Sequence, residues 1–136
     1  MRSMASFLLA TVLVAVGGNV GNAPVLASPW ASTIGEPLRD SRPQALELTQ
    51  HLLAIGARFY GALTCPACFK QINLFGKQAG AELPYVECRK PKQLPEQTEA
   101  CNEAEIRAYP TWVLPDGRRE VGVQSLEALS LWSGLN

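Results

Sequence analysis

The sequence predicts an α/β domain with a mixed central sheet covered by helices on both faces. From residue 43 onward, segments with helical spacing of apolar residues alternate with short β-type runs, in the order helix, strand, helix, strand, helix, strand, strand, helix. The last two strands flank Pro115-Asp116-Gly117-Arg118, whose Asp-Gly pair is a strong hairpin signal. Alternation favours parallel neighbours and the hairpin adds an antiparallel one, so the sheet should be mixed. A chain of 136 residues, with no internal repeat, fits one core.

The first element is "QALELTQHLLAIG", which spaces Ala45, Leu48, Leu52 and Ile55 at helical intervals and ends at Gly56, a residue suited to a left-handed stop. "ARFYG" is a short strand. "PACFKQINLFGKQAG" then brings Phe69, Ile72, Phe75 and Ala79 to one side of a helix, with Pro66 in the first turn, where its missing N–H is no loss. "LPYVEC" is a second strand, followed by the proline-broken loop "RKPKQLPEQ" and a helix in "TEACNEAEIRA", for which Thr98 is the expected N-cap. "TWVL" and "REVGV" form the hairpin, and "SLEALSLWSG" closes with Leu126, Leu129 and Trp132 on one helical face.

Residues 1–27 read as an export signal: Arg2 is followed by an apolar run from Met4 to Val16, then small residues lead to Val25-Leu26-Ala27 before Ser28. The run is shorter than the ~20 residues a spanning helix needs, so cleavage is expected, with retention as an anchor the alternative. Residues 28–42, rich in Ser, Pro and Gly, read as a linker with little structure of its own, and 43–136 as the folded domain. Loss of residues 1–27 removes Arg2 and no acid, leaving eleven basic against twelve acidic residues. The basic residues are scattered, which argues against nucleic acid as a partner.

Export places all four cysteines in a compartment that permits disulfides. Cys65 and Cys68 stand three positions apart at a strand-to-helix junction. The unpaired N–H groups and dipole of the helix start favour a thiolate at Cys65, making it the expected nucleophile. Cys68, in the first turn, is near enough to resolve a mixed disulfide formed at Cys65. Two other uses of the pair stay open: an inert bridge, or two zinc ligands completed by Cys88 and Cys101. Zinc is disfavoured because Cys88 and Cys101 are thirteen positions apart rather than tightly spaced. A bridge between these two would stabilise by about 3 kcal/mol and pin the proline-broken loop to the next helix; an electron relay to the first pair is the alternative.

Pro110, in "RAYPTWV", belongs at the first residue of a strand, and the residues alone favour a trans peptide bond. His51 is expected to be a packed helix residue. Arg89, Lys90 and Lys92 form a basic cluster on a solvated loop, with partner docking as the sharper reading. Trp112 and Trp132 read as core or subsurface; Trp30 lies in the linker.

With these motifs assembled, the chain resembles the thioredoxin-fold proteins, and Gln50 to Leu135 resembles the thioredoxin-like domain fused to vitamin K epoxide reductase homologues of cyanobacteria and chloroplasts. "HLLAIGARFYGALTCPACFKQINLFG", "PYVEC", "AYPTWVLPDGR" and "GVQSLEALSLWSG" carry the resemblance. It implies that Cys65 and Cys68 are the redox pair, that Cys88 and Cys101 are the additional pair, and that Tyr109-Pro110 is a cis-proline loop offering its backbone to substrate. It further implies a monomeric enzyme of the periplasm or thylakoid lumen, without cofactor or metal. Its substrates would be exported cysteine-containing proteins, and its partner a separate, quinone-coupled membrane protein related to vitamin K epoxide reductase. Two departures stand out: Thr64 replaces the Trp of ordinary thioredoxins, and Phe59 replaces their buried Asp, leaving proton transfer without an evident group.

Overall fold

A computed structural model describes residues 37–135, so the signal reading and Trp30 lie outside the described residues. The elements are α1 (Pro43–Ala54), β1 (Arg58–Gly61), α2 (Pro66–Phe75), α3 (Lys77–Ala81), β2 (Tyr85–Glu87), α4 (Pro95–Glu103), β3 (Thr111–Val113), β4 (Arg119–Val121) and α5 (Leu126–Ser133).

The strands form one sheet in the order β2-β1-β3-β4. β1 runs parallel to β2, with Tyr60 opposite Val86, and antiparallel to β3, with Phe59 opposite Trp112. β4 is antiparallel to β3. Because side chains alternate along a strand, Phe59, Tyr85 and Trp112 point to one face, and Tyr60, Val86 and Val113 to the other. On the first face Leu48 and Leu52 of α1, Ile72 and Phe75 of α2, Ala79 of α3 and Leu129 of α5 close over Phe59 and Trp112. These two rings stack with centroids 4.6 Å apart, and burying each side chain contributes roughly 1.5–3 kcal/mol. On the second face α4 packs Ala100 and Cys101 against Tyr60, Val86 and Cys88. The expected α/β architecture, a mixed sheet with helices on both faces, is therefore the one found.

Two local expectations are corrected. The long helix after the cysteines is two, broken at Gly76 (φ 84°), because the backbone of Asp40 and Ser41 passes so close that a β-carbon on Gly76 would stand 2.7 Å from Ser41 Cα. Its buried face carries Cys68, Gln71, Ile72 and Phe75, while Phe69 is only half-buried. α4 begins at Pro95 rather than Thr98: proline supplies the helical φ and needs no N–H partner, so the helix starts earlier, and Thr98 lies inside it with its hydroxyl buried and unpartnered. Residues 37–42, the end of the segment read as a linker, carry no helix or strand but are docked. Leu38 N–H donates to Asn73, Ser41 N–H to Gln78, and the Ser41 hydroxyl accepts from Ala79 N–H.

Candidate active site

β1, an interior strand, ends at Gly61, and a tight turn, closed by Cys65 N–H donating to the Ala62 carbonyl at 2.9 Å, leads into α2. Cys65 is the N-cap. Its backbone is extended and its carbonyl accepts from the N–H groups of Cys68 (3.1 Å) and Phe69 (3.2 Å), while Pro66 occupies the first helical position. This junction makes the two thiols unequal: Cys65 is half-buried outside the helix and Cys68 is fully buried in its first turn, both unbridged. Burial pushes the Cys68 thiol up to about 12, and the adjacent Cys65 and Glu87 add to the rise.

The loop before β3 faces this pair. The Tyr109–Pro110 peptide bond is cis, as the resemblance implied and against the trans form that the residues alone favoured. Cys65 Sγ donates to the Tyr109 carbonyl at 3.7 Å. The Pro110 carbonyl already accepts from Gly122 N–H at 2.8 Å, and Thr111 Oγ1 donates to the Ala108 carbonyl at 2.7 Å, so the loop is held from both sides. Tyr109 packs against the cores on both faces of the sheet.

One group beside the thiols escaped the sequence reading. Glu87, at the end of β2 opposite Gly61, is completely buried. Its Oε2 accepts from Leu63 N–H and from the Tyr85 hydroxyl, each at 2.8 Å, and its Oε1 accepts from Arg89 N–H at 2.7 Å. Burial, with Glu87 as acceptor, holds the Tyr85 phenol far above its ordinary range. The sequence did carry a signal: an acid two residues after Tyr85 shares its face, inside a strand whose other face is apolar.

No family model matches the chain. A stretch of 78 residues, 56% of the chain, is 42% identical to Thiol-disulfide oxidoreductase LTO1 of Arabidopsis thaliana. That stretch is 21% of the plant protein, so the chain spans about a fifth of the length of this curated relative. The similarity, the paired thiols at a helix start and the mixed sheet point the same way. The domain is thioredoxin-like.

In this thioredoxin-like domain Cys88 and Cys101 are joined, with Cα atoms 5.6 Å apart, linking the end of β2 to α4. Their sulfurs are therefore not available to complete a four-thiolate zinc set with Cys65 and Cys68. Among the described residues no group of three or more His, Cys, Asp or Glu side chains is arranged to hold a metal. His51 bonds through Nε2 to the Ser133 carbonyl at 3.0 Å and ties α1 to the end of α5. Arg89 is exposed on the loop after β2, where its backbone rather than its charge serves Glu87. Trp112 is buried and Trp132 half-buried.

Proposed function

We propose that this chain is an exported thiol-disulfide oxidoreductase that exchanges disulfides with cysteine-containing proteins through Cys65 and Cys68. The observation that carries the reading is the inequality of the two thiols. A substrate sulfur can reach the half-buried Cys65, whereas Cys68 meets only Cys65 and the protein interior. In the oxidising direction a substrate thiolate attacks Cys65 Sγ of the bridged pair, the Cys65–Cys68 bond breaks, and the electron pair departs on Cys68. A second substrate thiolate then displaces Cys65, leaving the substrate oxidised and the pair reduced by two electrons.

Tyr109 is the backbone against which the substrate chain docks, since Pro110 has no N–H and its carbonyl is engaged by Gly122. The reading of residues 1–27 as an export signal and the sequence resemblance support a role in oxidative folding in the periplasm or thylakoid lumen. A separate vitamin K epoxide reductase-like membrane protein would take the electrons from the reduced pair and pass them to quinone.

A glutathione redox series on the purified protein, with alkylated thiols counted by mass and mapped to each cysteine, tests this. Cys65 and Cys68 should change state together, and Cys65→Ser should lose both insulin reduction and dithiol oxidation. Exchange activity retained in Cys65→Ser would refute the assignment.

A further inference from the structure

Resolution of a mixed disulfide requires Cys68 to lose its proton inside the protein, and on β1 beside it Phe59, stacked on Trp112, offers no acid. The Tyr85–Glu87 pair lies on the other side of Gly61. The Cys68 sulfur and the Tyr85 hydroxyl oxygen stand 3.0 Å and 3.5 Å from one point, the place a β-carbon on Gly61 would occupy. The hydroxyl in turn donates to Glu87 Oε2 at 2.8 Å. Of the three donors on this carboxylate, Leu63 and Arg89 offer backbone N–H groups that only hold it in place; the phenol offers the one proton that can move.

We propose that Glu87, acting through the Tyr85 hydroxyl, is the proton acceptor for Cys68 when it resolves the mixed disulfide. This role rests on the dithiol exchange proposed above. When the reduced pair has attacked a substrate disulfide, Cys65 Sγ is bonded to one substrate sulfur. With the Cys68 S–H turned across the Gly61 gap onto the Tyr85 oxygen, a hydrogen bond that the resting structure does not hold, its proton passes to that oxygen while the hydroxyl proton passes to Glu87. Cys68 Sγ then bonds to Cys65 Sγ, the bond from Cys65 to substrate breaks, and the electron pair leaves on the substrate sulfur, which takes a proton from water. The pair is oxidised by two electrons and the substrate disulfide reduced. In the oxidising direction the proton held on Glu87 returns to Cys68 as that sulfur departs.

The surroundings leave Glu87 with few competitors. Tyr85 comes from its own strand, and Cys65 and Cys68 from the head of α2. From α4 the contact is the uncharged Gln97, which accepts from Glu87 N–H. The charged residues of neighbouring elements, Arg58 on β1, Lys70 on α2, and Glu96, Glu99 and Glu103 on α4, are exposed.

The test is the rate at which Cys68 resolves a mixed disulfide between Cys65 and a peptide disulfide. It is followed by acid quench, alkylation and mass between pH 6 and 10, in the full chain and in Glu87→Gln and Tyr85→Phe. Removing a general base should slow resolution about a hundredfold at pH 7, and the deficit should shrink toward pH 10 as hydroxide replaces it. Tyr85→Phe should fall in the same direction. Three outcomes overturn the role. Faster resolution in Glu87→Gln would mean that Glu87 acts only as a charge holding the Cys68 proton, and an equal deficit at every pH in both variants would mean that the pair is structural. A wild-type chain that forms no mixed disulfide at all would overturn the exchange activity itself, whereas wild-type activity with unaffected variants would overturn the Glu87 role alone.

Discussion

A β-carbon on Gly61 would stand 3.0 Å from the Cys68 sulfur and 2.8 Å from a ring carbon of Tyr85. Glycine here serves close approach, since the space between the Cys68 thiol and the Tyr85 ring is narrower than a methyl group. An ordinary Gly→Ala change at a compatible backbone position stabilises by about 0.4–1 kcal/mol. Gly61→Ala should instead destabilise by about 1–3 kcal/mol, the range for an overfilled core, and should slow resolution by Cys68. Denaturant unfolding and mixed-disulfide turnover of the variant check this; a stabilised protein with normal turnover contradicts the packing.

The order of thiol attack follows from exposure. With Cys65 half-buried at the helix start and Cys68 fully buried, the substrate meets Cys65 first. Cys68→Ala should accumulate a stable mixed disulfide between Cys65 and a bound substrate protein, visible as a reduction-sensitive band, while Cys65→Ala should accumulate none. Trapping through Cys68 in the Cys65→Ala protein would reverse the two roles.

The buried Cys68 also makes the reduced protein alkali-sensitive. Its thiol is pushed up from 9.0 to about 12, chiefly by burial, so the folded state holds this proton more tightly than the unfolded chain. The stability this contributes is fully present below the unfolded value and is lost as pH rises toward the folded one, with a slope of about 1.4 kcal/mol per pH unit in that window. Unfolding free energy of the protein under reductant should therefore fall more steeply between pH 9 and 10.5 than that of Cys68→Ala. Parallel curves would show that Cys68 keeps its proton no more tightly when folded. The raised Tyr85 phenol is present in both proteins, so the comparison of slopes isolates the thiol.

The sequence disclosed the frame better than the breaks in it. The short β-type runs "ARFYG" and "TWVL" and the Asp-Gly turn between the last two strands were legible because these signals are local. The break at Gly76 was invisible for the opposite reason: its cause is the backbone of Ser41, which lies 35 positions earlier and reads as featureless on its own. Thr98 misled because it is an N-cap residue type, while Pro95 can open a helix without any side-chain cap. At the site, the placement of Cys65 and Cys68 together at a helix start was legible from their spacing and the strand-to-helix pattern around them. Glu87 was not, since a single acid near the end of a three-residue strand shows which way it faces only once the register with Gly61 turns it inward.

The bridge from Cys88 to Cys101 holds the less apolar side of the molecule. On that face Ala100 of α4, with Ala104 and Ile106 just after the helix, covers Tyr60 and Val86, a small patch compared with the one around Trp112 on the other face. The bridge spans 13 positions and both sulfurs belong to buried residues, 6% and 4% exposed, so reductants reach it poorly. A staple in this position should act on stability. Replacing both residues by alanine should cost about 3 kcal/mol and speed amide exchange in α4, while the folded fraction still exchanges disulfides through Cys65 and Cys68. An electron relay predicts a different pattern, namely unchanged stability with loss of re-oxidation by membranes carrying the quinone-coupled partner proposed above. Measuring unfolding free energy and membrane-driven re-oxidation on the same double variant separates the two roles, because the staple predicts a loss only in the first and the relay only in the second.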